Sequence, residues 1–375
     1  MEKLFERIAY GKFYGLCGLL IRAALFPLYL TSIIYRIVIQ TRGELYRLGI
    51  LTSEKVDLKV ISVGNISVGG TGKTPTTEWL AGQLNKRGYK IAILSRGYGG
   101  KRSEKFGTVS KGDSALMSPS EAGDEPYMLA KKLKGVAVFV GPDRLKLAKY
   151  AQNKYALDAV ILDDGFQHIR LKRDVNILLF DGEKGVGNGN LLPRGPLREP
   201  MRAAGRADIV LINKDGIEIS NLIKIVEKNA PLAPVFRTNY KATQLKKLGT
   251  DETETLGSLS AMKVVLISGI ANPGSFSKLV ESMGAAIVGM ASFPDHHEYK
   301  AEDMDKVFSL AEGLSANAII TTEKDAVKLE AMDYCTETPI YTMEIGLEFK
   351  EDPDRLIDLI IEKAGLSEKK DKIYP

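Results

Sequence analysis

Cysteine, histidine and tryptophan are scarce in this chain of 375 residues, which contains two cysteines, three histidines and one tryptophan. Cys17 and Cys335 lie far apart in the sequence, so they provide no disulfide framework, and this usage fits a reducing compartment. The histidines are His168, His296 and His297, too few to favour a zinc site built on a histidine cluster. These shortages argue against a disulfide-stabilised secreted protein and against a histidine-rich metal enzyme.

Nucleic-acid-binding patterns are also missing from the sequence. It contains no basic stripe interleaved with aromatic residues, no zinc-finger spacing and no recognition-helix pattern, and we therefore predict no nucleic-acid partner. The formal net charge of +5 is only mildly basic. A charge of this size is compatible with an anionic membrane surface or an anionic substrate.

The longest apolar segment runs from Phe13 to Ile39, but Arg22 and Arg36 interrupt it and Pro27 is expected to kink it. No uninterrupted stretch reaches the roughly 18 to 20 apolar residues of a clear membrane span. The segment also lacks the small-residue cleavage site of a secretory signal, and basic residues flank it on both sides. We predict a membrane-associated helix or helical hairpin within residues 1–45; the alternative is a buried packing helix of the soluble domain.

A glycine-rich loop separates an apolar, β-branched run from a helical pattern within Val60–Thr77, VISVGNISVGGTGKTPTT. A strand that leads into such a loop and then a helix leaves consecutive backbone N–H groups pointing into one concavity, where phosphate oxygens bind. Lys73 is expected to reach the outer phosphates and the Thr74 hydroxyl to bind magnesium. Ser67 replaces the first glycine of the usual spacing, and the two glycines after Val68 supply the backbone freedom instead. The loop predicts that the protein binds a nucleoside triphosphate through Ser67, Val68, Gly69, Gly70, Thr71, Gly72, Lys73 and Thr74.

Strand-like and helix-like segments alternate along the chain after the apolar N-terminus, which is typical of mostly parallel sheets with helices on both faces. A second series of this kind begins near Lys263, and the polar stretch from Arg237 to Ala261 is the natural linker. We therefore predict an α/β fold with two α/β/α domains, of which the first resembles P-loop NTPases. The expected boundaries are a membrane-associated helical segment at 1–45, a P-loop kinase domain at 46–238 and a smaller C-terminal α/β domain at 239–375.

In the segment AVILDDGFQH, an apolar strand-like run ends in two adjacent carboxylates, Asp163 and Asp164. Ligands of open parallel sheets bind beyond the carboxyl ends of the strands, and phosphate-loop enzymes hold magnesium with an acidic residue at such a place. Adjacent side chains on an extended backbone point to opposite faces, so the two carboxylates should have different roles. We expect one to contact the metal shell and the other to orient water, Thr74 or a neighbouring loop; a solvated turn is the alternative.

Two further segments contain candidate acid–base residues. Asp124 of GDEP lies at a predicted helix start, where it either caps the helix or accepts the proton of an attacking hydroxyl group. His296 of FPDHH follows a strand of the second domain and either lies on a surface loop or orients and tunes an acidic base. The residues alone leave both alternatives open.

Four arginines lie close together in and after LLPRGPLREP, among prolines that favour a fixed, extended loop. Arginine suits phosphate recognition, and the alternative is a basic rim on a lipid-facing surface. Glu199 is the carboxylate among these arginines and a candidate to reach a metal or a nucleotide. The arginines are Arg194, Arg198, Arg202 and Arg206.

The predicted nucleotide is ATP. The segment Ile212–Asp215 resembles the guanine-reading Asn-Lys-x-Asp motif, but Gly216 occupies the final position of that motif. Partition-type and metal-insertion ATPases with a similar glycine loop normally carry a lysine near the position of Ser67. The absence of that lysine disfavours a dimerising switch ATPase.

Six motifs follow one another after the apolar N-terminus: SVGNISVGGTGKTP, LSRGYGG, GDEP, LDDGFQH, LLPRGPLREP and FPDHH. In this order they resemble the tetraacyldisaccharide 4'-kinases, the lipid A 4'-kinases of Gram-negative bacteria, over Val60–His297 in motifs and over the whole chain in layout. The resemblance implies transfer of the ATP γ-phosphate to the 4'-hydroxyl of a tetraacylated glucosamine disaccharide 1-phosphate, which forms lipid IVA in lipid A biosynthesis. It also implies two α/β domains with the nucleotide in the cleft between them, and a location at the cytoplasmic face of the inner membrane.

The resemblance further implies roles for individual residues. Asp124 matches the general base, His296 matches its partner, and Asp164 matches a third catalytic position, whereas the role of His297 stays open. The other implied positions are ATP contacts at Lys73, Thr74, Arg198 and Glu199, and magnesium contacts at Thr74, Asp163 and Asp164.

The expected cofactors are ATP and Mg²⁺, and the expected partners are the acylated disaccharide and a membrane lipid surface, with no protein partner. A substrate with four acyl chains leaves a bilayer only at high cost, since each buried methylene is worth about 0.8 kcal/mol. We therefore expect peripheral association or a single N-terminal anchor. The main alternative is a membrane-associated P-loop ATPase that switches partner binding, for which Lys73 would matter greatly and Asp124 and His296 little. A nucleotide-binding module without catalysis is disfavoured, because the loop lysine, the magnesium hydroxyl and the acidic strand end are all present.

Overall fold

The chain divides into two compact units, each assembled from separate segments. Its structure is a computed structural model that describes residues 2–11, 25–102, 104, 106–214 and 219–369. The predicted domains at 46–238 and 239–375 are continuous in sequence, whereas each unit of the structure combines segments that are distant in the sequence. Unit 1 comprises Met1–Ser95, Asp143–Asn239 and Glu348–Pro375, and unit 2 comprises Arg96–Pro142 and Tyr240–Leu347.

Helices and strands alternate through most of the described residues. In chain order the helices are α1 (Glu2–Tyr10), α2 (Phe26–Arg47), α3 (Lys73–Lys86), α4 (Pro119–Ala122), α5 (Asp124–Lys132), α6 (Arg144–Lys154), α7 (Ile219–Asn229), α8 (Pro273–Ser282), α9 (Ala301–Gly313), α10 (Glu323–Leu329) and α11 (Pro353–Ala364). The strands are β1 (Lys59–Asn65), β2 (Ile91–Ser95), β3 (Gly107–Ser110), β4 (Ala137–Val140), β5 (Ala159–Asp163), β6 (Val175–Asp181), β7 (Ile209–Asn213), β8 (Val235–Lys247), β9 (Thr253–Glu254), β10 (Lys263–Ser268), β11 (Ala286–Ser292), β12 (Ala318–Thr322) and β13 (Ile340–Phe349). Short 3₁₀ helices cover Met201–Arg206 and Leu256–Ala261.

Unit 1 contains a parallel sheet in the order β8, β7, β6, β1, β5, β2. Every residue of β1 after Lys59 is buried, as expected for a parallel strand that is covered on both faces. In the register between β1 and β5, Val63 lies opposite Asp163. The strand that leads into the glycine loop therefore ends beside the strand that carries the two carboxylates.

Unit 2 contains the series β11, β10, β12, β13, β8, with β9 antiparallel to β8, and it also contains β3 and β4, which are antiparallel to each other. Alternate residues of β10 serve two cores, as the two-residue period of a strand requires. Val264 and Leu266 pack in a cluster with residues of α8, and Val265 and Ile267 pack in another with residues of α9. The predicted α/β class with mostly parallel strands is confirmed.

The predicted apolar N-terminal segment is described in part, since residues 12–24 lie outside the described residues. Pro27 occupies the first turn of α2, where a missing N–H leaves the helical hydrogen bonds intact. Ser32 of α2 donates a hydrogen bond to the carbonyl of Leu191 (2.8 Å), and the Tyr35 hydroxyl donates one to that of Arg198 (3.0 Å). Among the helices of the described residues, none combines the length and apolar content needed to cross a bilayer.

Candidate functional site

The glycine loop of unit 1 connects the end of β1 with the start of α3 at Lys73. Gly69 and Gly72 have φ values of 105° and 84°, in the left-handed region that glycine adopts most readily. Gly72 is the N-cap of α3, and no side chain caps the helix. The first N–H groups of a helix have no partner within it, so the N-terminus of α3 and the loop before it suit a phosphate group.

Two asparagine side chains hold the glycine loop by hydrogen bonds to Thr71. The Asn65 side chain donates a hydrogen bond to the Thr71 hydroxyl (2.8 Å), and the Asn213 side chain donates one to the Thr71 carbonyl (2.5 Å). Asn213 in turn accepts a hydrogen bond from the Thr238 hydroxyl. Asn65, Asn213 and Thr238 are buried, so Thr71 of the loop is held by residues of the strands beneath it.

Sequence reasoning missed these loop supports. Asn213 belongs to the segment Ile212–Asp215, which resembles the guanine-reading motif. Asp215 and Gly216, at the end of that resemblance, lie outside the described residues. The signal that identifies Asn213 is the one used for Asp163, namely a polar residue at the carboxyl end of an apolar strand.

The two adjacent carboxylates of unit 1 face different partners, as expected for neighbours at a strand end. Asp163 is buried and accepts hydrogen bonds from the hydroxyls of Ser95 (3.1 Å) and Thr77 (3.4 Å). Asp164, with φ of 53°, begins the turn that ends the strand. Two buried hydroxyl groups thus hold the Asp163 side chain.

Asp164 lies between two cations. Its Oδ2 accepts a hydrogen bond from Arg198 (3.0 Å), and its Oδ1 lies 3.8 Å from the Lys73 ammonium. Burial opposes ionisation of this carboxyl, but the charges of Lys73 and Arg198 outweigh burial and lower its pKa. The structure thus brings together the predicted residues Lys73, Asp164 and Arg198 in one charged cluster.

The arginine segment (Leu191–Arg206) pairs with the glycine loop. The N–H of Val68 donates to the carbonyl of Pro196 (2.8 Å), and the N–H of Arg198 donates to the carbonyl of Ile66 (2.7 Å). This backbone pairing places Arg198 next to the loop. Arg202 is exposed.

Glu199 is buried and points away from the charged cluster. Arg206 donates to both of its carboxylate oxygens, at 2.8 and 2.9 Å, and Gln167 donates to Oε1 at 2.9 Å. Such a two-point contact with arginine is among the strongest hydrogen-bonded arrangements of a carboxylate. Direct contact of Glu199 with a metal or a nucleotide therefore requires the loss of these bonds.

In unit 2, Asp124 is the first residue of α5 and does not cap it. The N-cap is Gly123, with φ of 92° and ψ of 151°, and no side chain caps this helix. A Cβ atom on Gly123 would lie 2.6 Å from the carbonyl oxygen of Tyr98, so this position requires glycine. The capping alternative for Asp124 is excluded, and its carboxylate is directed elsewhere.

Asp124 contacts His296, which lies 172 residues further along the chain. The distance from His296 Nδ1 to Asp124 Oδ2 is 3.2 Å, and Lys328 Nζ lies 3.0 Å from the same oxygen. Burial alone would raise the pKa of Asp124, but the hydrogen bonds from His296 and Lys328 outweigh burial and lower it. Asp124 is therefore ionised at neutral pH.

The backbone of His296 is in the left-handed region, with φ of 61°. Asp295 Oδ1 accepts a hydrogen bond from the His296 backbone N–H (3.0 Å) and one from Lys324 Nζ (2.7 Å). Left-handed residues other than glycine persist where their surroundings hold them, and they are frequent at functional sites. His297 points elsewhere: its Nε2 lies 2.9 Å from Asp303 Oδ2.

Lys324 and Lys328 were not predicted from the sequence. They lie on α10, which begins after the carboxyl end of β12 with the Thr322 side chain as its cap. The available signal was again a strand followed by charged residues, in the run NAIITTEKDAVKL. The functional importance of that run was not apparent, because its partners Asp124 and His296 are distant in the sequence.

The oxygen donors of unit 1 fit magnesium. This ion prefers oxygen ligands and usually takes only one or two carboxylates from the protein, with phosphate oxygens and water completing its shell. Thr74, Asp163 and Asp164 offer one hydroxyl and two carboxylates near the glycine loop. No cluster of three or more histidine, cysteine, aspartate or glutamate side chains suited to a metal occurs within the part of the chain that the structure describes. A hydroxyl and two carboxylates are chemically suited to a magnesium ion that also binds phosphate.

Comparisons with known proteins match most of the chain. A family model described as Tetraacyldisaccharide-1-P 4'-kinase matches residues 23–364. The tetraacyldisaccharide 4'-kinase of Syntrophus aciditrophicus is 41% identical over 312 residues, which cover 80% of this chain and 83% of that protein. The enzyme of the same name from Desulfatibacillum aliphaticivorans is 37% identical over 362 residues, with coverage of 94% and 95%. The crystal structure of LpxK from Aquifex aeolicus in complex with ATP has a TM-score of 0.73 and 33% identity, and covers 92% of this chain and 99% of that chain.

Proposed function

This chain belongs to the tetraacyldisaccharide-1-P 4'-kinase family, and we propose that it is an ATP-dependent lipid kinase of lipid A biosynthesis. It transfers the γ-phosphate of ATP to the 4'-hydroxyl of a tetraacylated glucosamine disaccharide 1-phosphate and forms lipid IVA. The observation that carries this proposal is the contact of ionised Asp124 with His296. A kinase needs a group that accepts the proton of its acceptor hydroxyl, whereas a switch ATPase has no such acceptor.

The phosphates of ATP bind to the backbone N–H groups of the glycine loop and the N-terminus of α3. Lys73 and Arg198, which both lie beside Asp164, stabilise the negative charge that develops on the transferred group. Electrostatic stabilisation by such fixed groups is usually the largest contribution to catalysis of this kind. Because Asn65 and Asn213 already hold the loop, little reorganisation accompanies binding.

Thr74, Asp163 and Asp164 are the residues that would hold magnesium. The bound ion would neutralise phosphate charge. The Asp163 side chain is held by hydrogen bonds from Ser95 and Thr77, which fix the direction of its carboxylate.

Asp124 accepts the proton of the 4'-hydroxyl while the hydroxyl oxygen attacks the γ-phosphorus, and ADP leaves. His296 and Lys328 both contact Oδ2, so Oδ1 is free of these two donors and serves as the proton acceptor. The lowered pKa of Asp124 keeps it in the ionised form that this role requires. General-base catalysis of this kind contributes about 10²- to 10⁴-fold in rate.

We further propose that α2 places the protein on the cytoplasmic face of the inner membrane, as a peripheral protein. Ser32 and Tyr35 fasten one side of α2 to the arginine segment. The other side of α2 exposes an apolar stripe. Contact of this stripe with water is unfavourable, and its contact with lipid acyl chains would stabilise membrane binding. The stripe consists of Phe26, Tyr29, Leu30, Ile33, Ile34, Ile37 and Val38, each at least 37% exposed.

The proposal is tested by transfer of labelled γ-phosphate from ATP to tetraacyldisaccharide 1-phosphate in detergent micelles. We expect labelled lipid from the parent protein and at least a hundredfold slower labelling by Asp124→Asn. Asp303→Asn is the matched control, because Asp303 forms an Asp–His contact of similar length with His297 in the same unit, and it should keep most of the activity.

Two outcomes would contradict the proposal. ATP consumption without labelled lipid would favour the switch ATPase. Equal losses in Asp124→Asn and Asp303→Asn would show that the activity depends on the fold of unit 2 and not on Asp124 as a base.

A further inference from the structure

Two lysines of α10, one helical turn apart, contact the two members of the Asp124–His296 pair. Lys328 Nζ lies 3.0 Å from Asp124 Oδ2, and Lys324 Nζ lies 3.2 Å from His296 Nε2. Side chains at positions i and i+4 of a helix lie on the same face, which explains how one short helix reaches both groups. Lys324 has no role in the mechanism proposed above, and Lys328 enters it only as a donor to Asp124 Oδ2.

The contact with Lys324 determines which nitrogen of His296 carries hydrogen. A lysine ammonium donates hydrogen bonds and accepts none, whereas a neutral imidazole has one donor nitrogen and one acceptor nitrogen. With Lys324 Nζ 3.2 Å from Nε2, we infer that Nε2 of the neutral ring is the acceptor, which puts the hydrogen on Nδ1. Nδ1 is the atom that lies 3.2 Å from Asp124 Oδ2, so His296 donates to the carboxylate.

We propose that Lys324 and Lys328 are positioning residues for proton transfer: Lys324 holds His296 in the tautomer that donates from Nδ1, and Lys328 holds Asp124 by Oδ2. This inference rests on the proposed kinase function. With both donors on Oδ2, the carboxylate turns Oδ1 towards the acceptor hydroxyl.

Lys328 is itself held in place. Its ammonium also donates to the His297 carbonyl (3.0 Å) and lies 6.0 Å from the centre of the Tyr299 ring. Lys324 is fixed by Asp295. Both side chains are mostly buried, with 12% and 17% of their surfaces exposed, so their contacts are poorly screened by solvent.

The charged groups around Asp124 are few, which makes the effect of Lys328 measurable. His296 and Lys328 contact Asp124 directly, and the Tyr299 phenol and the Glu298 carboxylate face it from the segment after His296. Glu298 is exposed and paired with Lys101, and Tyr299 is neutral at neutral pH because burial raises its pKa. Lys328 is therefore the permanent positive charge in contact with Asp124.

The first test is the dependence of kcat on pH for lipid phosphorylation. Loss of an opposite charge within 4 to 6 Å changes the pKa of a carboxyl group by about one to three units. We expect the acid limb of the profile to move upward by about one pH unit or more in Lys328→Met, and to return in part in Lys328→Arg. Lys278→Met, at an exposed position of α8, is the control and should leave the profile unchanged. An unshifted acid limb in folded Lys328→Met would overturn the role of Lys328.

The second test needs no activity and therefore separates this inference from the proposed function. In ¹⁵N spectra of protein labelled at histidine, with the His296 signals assigned by loss in His296→Gln, we expect hydrogen on Nδ1 at neutral pH. Lys324→Met should populate the other tautomer. Hydrogen on Nε2 in the parent protein would overturn the role of Lys324, even if lipid is phosphorylated. Hydrogen on Nδ1 in a parent protein that phosphorylates no lipid would support the positioning contacts and refute the kinase.

Discussion

Replacement of Gly123 by alanine tests whether the backbone before Asp124 is essential to unit 2. Gly123 has φ of 92° and ψ of 151°, a conformation close to one that only glycine adopts freely, and other residues there cost about 1–3 kcal/mol. The new Cβ would also lie 2.6 Å from the Tyr98 carbonyl oxygen, and relief of such overpacking costs about 1–3 kcal/mol more. We expect Gly123→Ala to lower the free energy of unfolding of unit 2 by about 2–6 kcal/mol.

The measurement is differential scanning calorimetry, because a two-unit chain need not unfold in a single step. A loss of this size lowers the melting temperature of a unit with 150 to 250 residues by about 5–20 °C. Gly249→Ala is the matched control in the same unit: its φ is 77°, and a Cβ there would meet nothing within 4 Å. Gly249→Ala should therefore lower the free energy of unfolding only by the strain of a left-handed backbone at a residue other than glycine, about 1–2 kcal/mol.

Activity supplies a second measurement on the same variants. Because Gly123 precedes Asp124, a displaced backbone moves the carboxylate, and a misplacement of about 1 Å can cost about a hundredfold in rate. We expect kcat for lipid phosphorylation, measured below the melting temperature, to fall in Gly123→Ala and to remain near the parent value in Gly249→Ala. Melting temperatures and kcat values that are equal in the two variants would refute the steric argument.

Three further predictions concern the glycine loop, pH and the membrane. Asn213→Ala removes the donor to the Thr71 carbonyl, a bond worth about 0.5–1.5 kcal/mol, so KM for ATP should rise about two- to tenfold in steady-state kinetics; an unchanged KM would contradict the support assigned to Asn213. Burial opposes ionisation of Asp124, but its hydrogen-bond donors outweigh burial and lower its pKa. Ionised Asp124 therefore stabilises the folded protein above the unfolded pKa of about 3.9. This stabilisation is lost as the pH falls through the lower pKa of the folded state. Thermal unfolding between pH 7 and pH 3 should show a smaller acid destabilisation for Asp124→Asn than for the parent, and identical pH dependence would count against the pKa direction. Ile34 lies on the exposed stripe of α2, and Ile34→Glu removes an apolar side chain whose burial in the membrane is worth about 1.5–3 kcal/mol. The variant should bind anionic liposomes more weakly, by about tenfold or more, in a sedimentation assay. Full binding by the variant would exclude the stripe as the membrane contact.

Features that depend on neighbouring residues were predicted from the sequence. The strand, glycine loop and helix around Lys73 follow from one another within a few residues, and the acidic end of β5 follows from an apolar run that stops at Asp163. The resemblance of six ordered motifs to one kinase family added the function, and the family match over residues 23–364 confirms that membership. The roles of the individual site residues stay predictions.

Features that depend on distant residues required the tertiary structure. Residues 96–142 belong to the same unit as residues 240–347, and no local pattern reveals this, because a contact between segments leaves no period in either of them. Whether Asp124 caps its helix or serves as a base depended on the backbone of Gly123 and on His296, far along the chain. The sequence position of Glu199 left its role open, and the structure pairs its carboxylate with Arg206 and with Gln167, which lies 32 residues earlier in the chain.

The sequence by itself determined the α/β class and the phosphate-binding loop, because periodicity and glycine spacing are local consequences of backbone geometry. Only the tertiary structure decided which charges meet. Lys328 lies beside Asp124 because α10 and α5 pack within unit 2. Burial opposes ionisation of that carboxylate, but the contacts with His296 and Lys328 outweigh burial and keep it ionised.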